Sequence, residues 1–246
     1  MRLHLIGCSV LIRELSDAIV LSSHTVDARY LPAGLHDIAG EGMRDQIQQA
    51  IDDAEPSQYD AVVIGYGLCG NGLVGLHART TRLVIPRAHD CITLLMGSRA
   101  RYRSYFEANT GVYFRSAGWV QRAAEMEEQL SEHLFSARKE DLIAKYGEEA
   151  GRYLWEEFTS YRRNYRKLTY IRTACDVTNS FCDQARAEAR EKSWEFEEIE
   201  GDNALFRRLL SGDWTNDFLV VAPGQQIAAT YDEHIFEATG GGAESH

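Results

Sequence analysis

The sequence predicts an α/β protein: a mainly parallel, Rossmann-like sheet flanked by helices, in two βαβ-type halves with a helical insertion between them. Three observations carry this. Apolar runs of strand length recur between longer amphipathic stretches, and glycine- or asparagine-containing turns follow several of them. A charged stretch without strand signals then interrupts the alternation at 119–166. With 246 residues, 44% hydrophobic and 26% charged, the chain can bury one large core or two small ones.

In the first half, 1–118, Leu3 to Gly7 reads as a strand, and Ser9 as the N-cap of a helix containing Val10, Leu11, Leu15, Ile19 and Val20. Asp27 to Leu31 is a weaker strand, followed by Pro32, Gly34 and a helix from Gly42 through Ala54 with Met43, Ile47 and Ile51 on one face. Ala61 to Tyr66 is continuously apolar, as a strand covered on both faces is. It enters the turn Gly67–Gly72 and a short helix before the fourth strand, Leu83 to Pro86. A helix is expected to start near Asp90, and Gly111 to Arg115 makes a fifth strand.

Residues 119–166 read as two or three helices, with Met126, Leu130 and Leu134, then Tyr153, Leu154 and Phe158, as their apolar positions. They are expected to pack on the sheet as a hairpin; a lid or an arm for homo-oligomer formation is the other reading. The second half, 167–236, alternates strand Leu168 to Ile171, a helix through Phe181 and Ala189, strand Trp194 to Ile199, a helix at Leu205 to Leu210, and strand Phe218 to Ala222. A glycine-rich tail, 237–246, is expected to be disordered.

Charge and composition exclude several function classes. The net charge of −11 opposes nucleic-acid binding and attraction to anionic lipid surfaces. No run approaches the roughly 20 apolar residues of a membrane span, and the first residues run straight into a strand pattern, so a cytoplasmic location is expected. Five unevenly spaced cysteines do not form a secreted disulfide framework; in a reducing compartment they stay free for metal binding or catalysis.

The positions of three of them carry the functional reading. In a parallel α/β sheet the ligand crevice lies outside the carboxyl ends of the strands, where loops diverge and amides point inward. Cys8 ends the first strand, Cys69 follows the third, Cys91 follows the fourth, and His36 lies in the loop after the second. Right-handed crossovers place these loops on one rim. Three thiolates with or without an imidazole suit zinc, and three thiolates with one open iron site suit an iron-sulfur cluster. Cys175 and Cys182, on or near a helix of the second half, read as structural.

Within Arg87-Ala88-His89-Asp90-Cys91, a helix beginning at Asp90 would lower the Cys91 thiol pKa, while His89 and Asp90 are candidate acid-base residues. Arg87 and the turn residues Gly70, Asn71 and Gly72 are the candidate holders of a small anionic substrate. A dinucleotide site is not expected: Gly67-x-x-Gly70-x-Gly72 is neither GxGxxG nor a P-loop, and no acidic residue closes the next strand, so no NAD is predicted. No G-x-S-x-G nucleophile elbow occurs either.

The segments Tyr66-Gly67-Leu68-Cys69-Gly70-Asn71-Gly72, Pro86-Arg87-Ala88-His89-Asp90-Cys91 and Gly97-Ser98 resemble those of an uncharacterised domain-of-unknown-function family of methanogens and other mainly anaerobic or methylotrophic microbes. The resemblance extends to Cys8, Gly34-Leu35-His36, Gly118-Trp119, Glu198-Ile199-Glu200-Gly201-Asp202 and Gly212-Asp213-Trp214, and so covers most of the chain. Ser9 departs from it, standing where the family has an acidic residue. Members are often encoded near corrinoid methyltransferase components, so the resemblance implies a link to one-carbon metabolism and a corrinoid or methyltransferase protein as partner. The expectation is a thiolate-ligated metalloenzyme acting on a small molecule by methyl or sulfur transfer. The alternative is a non-catalytic metal-, corrinoid- or methyl-carrier accessory protein.

Overall fold

Four parallel strands and one antiparallel strand make the sheet that carries the cysteines. In this computed structural model the order is β2-β1-β3-β4-β8, with β1 at Arg2–Cys8, β2 at Thr25–Leu31, β3 at Ala61–Gly65, β4 at Leu83–Pro86 and β8 at Phe218–Val221. Residues 1–35, 42–54, 58–69, 71–123, 139–159, 164–230, 232 and 234–240 are described. Register is in phase across the centre, Leu5 standing between Ala28 and Val63, and Val63 beside Val84. All of β3 is buried because both its faces are covered. On one side lie α1 (Ile12–Leu21) and α9 (Ala204–Ser211), which pack Leu15, Phe206 and Leu209 against Leu5 and Val63. On the other, α2 (Gly42–Asp52) presents Met43, Ile47 and Ile51 to Ile6 and Ile64.

A second, wholly parallel sheet has the order β5-β6-β7, from Val112–Ser116, Lys167–Arg172 and Glu195–Glu200. Helix α8 (Ser180–Glu191) covers one face with Cys182, Ala185 and Ala189, while Ile171 and Ile199 join the core of the first sheet from the other. A hairpin of β9 (Gln226–Ala229) and β10 (Phe236–Thr239) packs Ile227 and Phe236 into the α2 side. Among the described residues no helix is long and apolar enough to cross a membrane.

The α/β class and the mainly parallel first sheet are as expected, but the halves do not follow the sheets. The strand at Phe218, assigned from the sequence to the second half, pairs antiparallel with β4. Alternation of strand and helix does not encode which sheet a strand joins, and an apolar edge at β4 was open to it. The fifth strand, assigned from the sequence to the first half, starts the second sheet. The start of the tail expected to be disordered from residue 237 is instead ordered, since 236–239 form β10; Gly241, Gly242 and Ala243 lie outside the described residues. Ser9 is not an N-cap: it begins a 3-10 turn, Ser9–Leu11, with no side-chain cap. Residues 71–75 form successive turns rather than a helix, because Gly75 at φ +85° gives its amide to Ile227 of β9. In the insertion, α5 (Ala117–Gln121), α6 (Lys139–Tyr146) and α7 (Glu148–Thr159) are helical; Met126, Leu130 and Leu134 lie outside the described residues.

Glu14, on α1, sits where the two sheets meet. It is 1% exposed, with Oε1 accepting from the Thr173 hydroxyl at 2.7 Å and Oε2 buried without a partner. Burial, partly offset by the Thr173 bond, raises its pKa above the ordinary 4.5. A raised carboxyl pKa in the folded state contributes stability below 4.5 that is lost as pH climbs through the raised value. Glu14→Gln keeps the neutral shape. We expect the melting temperature of the native chain to fall relative to this variant as pH rises from 4.5, by thermal denaturation at several pH values; parallel curves would show that the carboxyl is not held neutral.

Candidate thiol site and the adjoining cavity

Because β1, β3 and β4 are parallel, their carboxyl ends share one rim. Cys8 is the last residue of β1, Cys69 follows β3 and Cys91 opens α3 (Cys91–Met96). Beyond the strands the two loops continue the ladder, with Leu68 N donating to Ala88 O at 2.8 Å and Cys69 N to His89 O at 2.9 Å. Gly67 makes that approach possible: a Cβ there would lie 2.5–2.7 Å from backbone atoms of Asp90. Cys69 at φ +42° and Asn71 at φ +71° carry the chain through the turn in left-handed conformations. Asn71 tolerates this; for Cys69 it is a strain, of the kind that concentrates at functional sites.

The three cysteines line one small closed cavity of about 10 Å³, together with Tyr66, Met43 and Trp119. The hydrogen bond with Cys69, then burial, pushes the Cys91 thiol well up. This reverses the lowering expected from its place at a helix start: α3 is a short helix, and thiol neighbours outweigh its dipole. Tyr66 is 4% exposed; its hydroxyl has no partner of ordinary hydrogen-bond geometry and lies against Cys8, with Cys69 nearby. Burial and these thiols push it well above the usual phenol value. Among the described residues no three His, Cys, Asp or Glu side chains are already arranged as metal ligands, so binding a metal would require the thiols to rearrange.

Asp90, expected to be an acid-base group, is committed to structure. Its Oδ1 accepts from Thr93 N at 2.9 Å and Thr93 Oγ1 at 3.1 Å, capping α3, and its Oδ2 accepts from the Tyr102 hydroxyl at 2.9 Å. His89 is exposed on the far side of the same turn, its ring 6.4 Å from that of Tyr102. The Gly72 amide donates to Cys69 O at 3.3 Å, and Asn71 is exposed. His36 and Gly70 lie outside the described residues. Cys175 accepts from Asn203 Nδ2 at 3.2 Å and Cys182 donates to Glu198 at 3.2 Å, both away from this cavity.

Arg87 does not reach the thiols. Its Nη1 donates to His234 O at 2.6 Å and also to Phe236 O, and its guanidinium lies 5.7 Å from the Phe236 ring centre. Arg87 therefore pins the C-terminal hairpin to the end of β4, a long-range pairing that local sequence cannot show. Arg87→Lys keeps the charge but removes the planar fork. We expect a loss of about 1–2 kcal/mol in denaturant titrations, one charged hydrogen bond's worth, with thiol reactivity unchanged; unchanged stability would count against the clamp.

Sequence reasoning missed Tyr66, Met43 and Trp119, because a single tyrosine, methionine or tryptophan at a strand or helix end reads equally as core. It also missed a second, larger cavity beside His89. Ser98 caps α4 (Arg99–Ala108), and one face of α4 forms the wall of this cavity of about 420 Å³. The signal was present as Arg99 and Arg103, and Tyr102 and Phe106, each pair one helical turn apart.

The family model described as "Protein of unknown function (DUF1638)" matches residues 30–210, a span that holds Cys69 and Cys91 and starts after Cys8. No curated protein and no solved structure matches the chain.

Proposed function

The chain belongs to the DUF1638 family of proteins of unknown function, and from that premise we propose that its three-cysteine cavity binds one thiophilic metal ion and serves group transfer on a small molecule. The observation that carries this reading is the convergence of Cys8, Cys69 and Cys91, from three separate strand ends, on one cavity with the buried Tyr66 hydroxyl. Sulfur donors select zinc or an iron-sulfur cluster over hard cations such as magnesium. A bound metal supplies Lewis acidity and holds thiols as thiolates. The chain's own part is to bring the sulfurs together through the 67–69 and 88–90 loops, to exclude water with Trp119 and Met43, and to offer Tyr66 as a hydrogen-bond donor to a sulfur. Methyl or sulfur transfer is the class of reaction that suits a thiolate-rich site.

The closure of the cavity favours a second reading, a metal or methyl-carrier accessory protein without turnover, docking on a corrinoid or methyltransferase partner. Multiple turnover separates the two.

The test is metal analysis of anaerobically purified protein. About one zinc ion or one cluster per chain is expected. Cys8→Ser, Cys69→Ser and Cys91→Ser should each lose most of it, about tenfold or more in affinity, and Cys175→Ser and Cys182→Ser should keep it. Absence of both zinc and iron, or equal loss in all five variants, overturns the site.

A further inference from the structure

The larger cavity is a second chemical environment, next to the thiol site across the turn at 89–91. Helix α4 has no fully buried residue, so its inner face serves as a wall rather than as core. Two rings of that face, Tyr102 and Phe106, lie nearly parallel, 22° apart with centres at 5.7 Å, and Phe106 is 56% exposed. A large aromatic left open beside a cavity in this way is available to stack on a flat partner.

The same face carries two arginines. Arg103 makes no hydrogen bond or ion pair among the described residues, and Glu107, one turn on, is not bonded to it. Arg99 lies 3.5 Å from Asp217, which also accepts from Arg208 at 2.6 Å, while Arg208 has Asp213 as a second partner at 3.0 Å. In a chain of net charge −11, a lining that sets two arginines against two carboxylates, Glu107 and Asp217, is a local exception, and Arg103 is its available guanidinium.

Another part of the lining is held in an unusual conformation. Ile235, 3% exposed and lining the cavity, has φ +71°, where a β-branched residue is an outlier. The carbonyls on either side of it, those of His234 and Phe236, are the two that Arg87 clamps. The clamp thus fixes a stretch of the same lining that Arg103 and Phe106 belong to, and strain maintained by specific contacts is characteristic of ligand sites.

The geometry points to this cavity as a binding site for a small organic anion with a flat apolar body. Its anionic group lies at Arg103 and Arg99, its flat face against Phe106 and Tyr102, and His89 closes the end nearest the thiols. A volume of about 420 Å³ suits a small molecule rather than a bare inorganic ion. Arginine forks match carboxylate and phosphate alike, so both groups are acceptable.

Phenyl phosphate and benzoate are the probes, titrated calorimetrically into the full-length protein beside inorganic phosphate and phenol. One saturable site for at least one of the two aromatic anions is expected, with inorganic phosphate and phenol each about tenfold weaker or worse. Arg103→Gln should weaken the probe about tenfold and Phe106→Ala several-fold; both residues are exposed, so the variants should fold, as circular dichroism can verify. Cys91→Ser should bind the probe as the native chain does, so this site and the thiol site stand or fall separately. The proposal is overturned if neither aromatic anion saturates, if Arg103→Gln binds as tightly as the native chain, or if inorganic phosphate binds as tightly as phenyl phosphate.

Discussion

Gly118→Ala is expected to unseat α5 and to lower stability by about 3 kcal/mol or more, the upper end of overpacking effects. A Cβ at this position would stand 1.7 Å from the carbonyl oxygen of Val10 and 2.8 Å from its carbon, and both are backbone atoms of the 3-10 turn that follows β1. Neither side can give way as a flexible side chain would. Relief requires α5 to move off the turn, which withdraws Trp119 from the thiol cavity and shifts the segment just after Cys8. Denaturant titration followed by tryptophan fluorescence reads both effects; a midpoint equal to that of the native chain would mean that the contact yields without cost.

The second large effect is expected at Gly67. There an added Cβ would meet the Asp90 carbonyl carbon at 2.5 Å and its Cα at 2.6 Å, so Gly67→Ala should push the loop after β3 away from the loop after β4. The two amide bonds from Leu68 and Cys69 are then weakened, and the total cost is about 2–3 kcal/mol. The chemical consequence is more specific than the energetic one. Cys69 and Cys91, now hydrogen-bonded, should separate enough that a trivalent arsenical such as phenylarsine oxide no longer bridges them. Titration of the native chain with this reagent should consume two thiols at once, and titration of the variant should consume them singly. Bridging in the variant at the native rate would show that the loops are not held by this glycine.

What the sequence made legible was whatever repeats locally. The apolar continuity of Ala61–Gly65 placed β3, and the spacing of Met43, Ile47 and Ile51 placed the buried face of α2. Asp90 was read as the start of a helix, and it caps Thr93 N. The gathering of Cys8, Cys69 and Cys91 on one cavity followed from a topological rule, that parallel strands end on one rim. What was not legible depends on partners distant in sequence. Arg87 looked like an anion ligand because nothing nearby announces that His234 and Phe236 will present their carbonyls to it. Asp90 looked like a free carboxylate until Tyr102 was seen to donate to its second oxygen. The strand at Phe218 has the same apolar pattern whichever sheet it joins, and only the antiparallel register with Leu83–Pro86 decides the matter. The aromatic and arginine pairs of α4 were local and could have been found, but a helix face bearing both reads first as a solvated surface.

The placement of β8 has a consequence for the order of events in folding. Its pairing with β4 joins segments separated by the whole of the second sheet and the helices around it, and the adjoining hairpin is tied back to β4 through Arg87. Contacts of such long sequence separation form late, since the loop they close is costly until the intervening units have folded. During synthesis the strands β1 to β4 emerge first, and the apolar edge of β4 stays unpaired until β8 follows. The nascent first sheet is therefore most exposed to misassembly along this edge before β8 pairs, and β8 with its adjoining hairpin acts as the closing latch of that sheet.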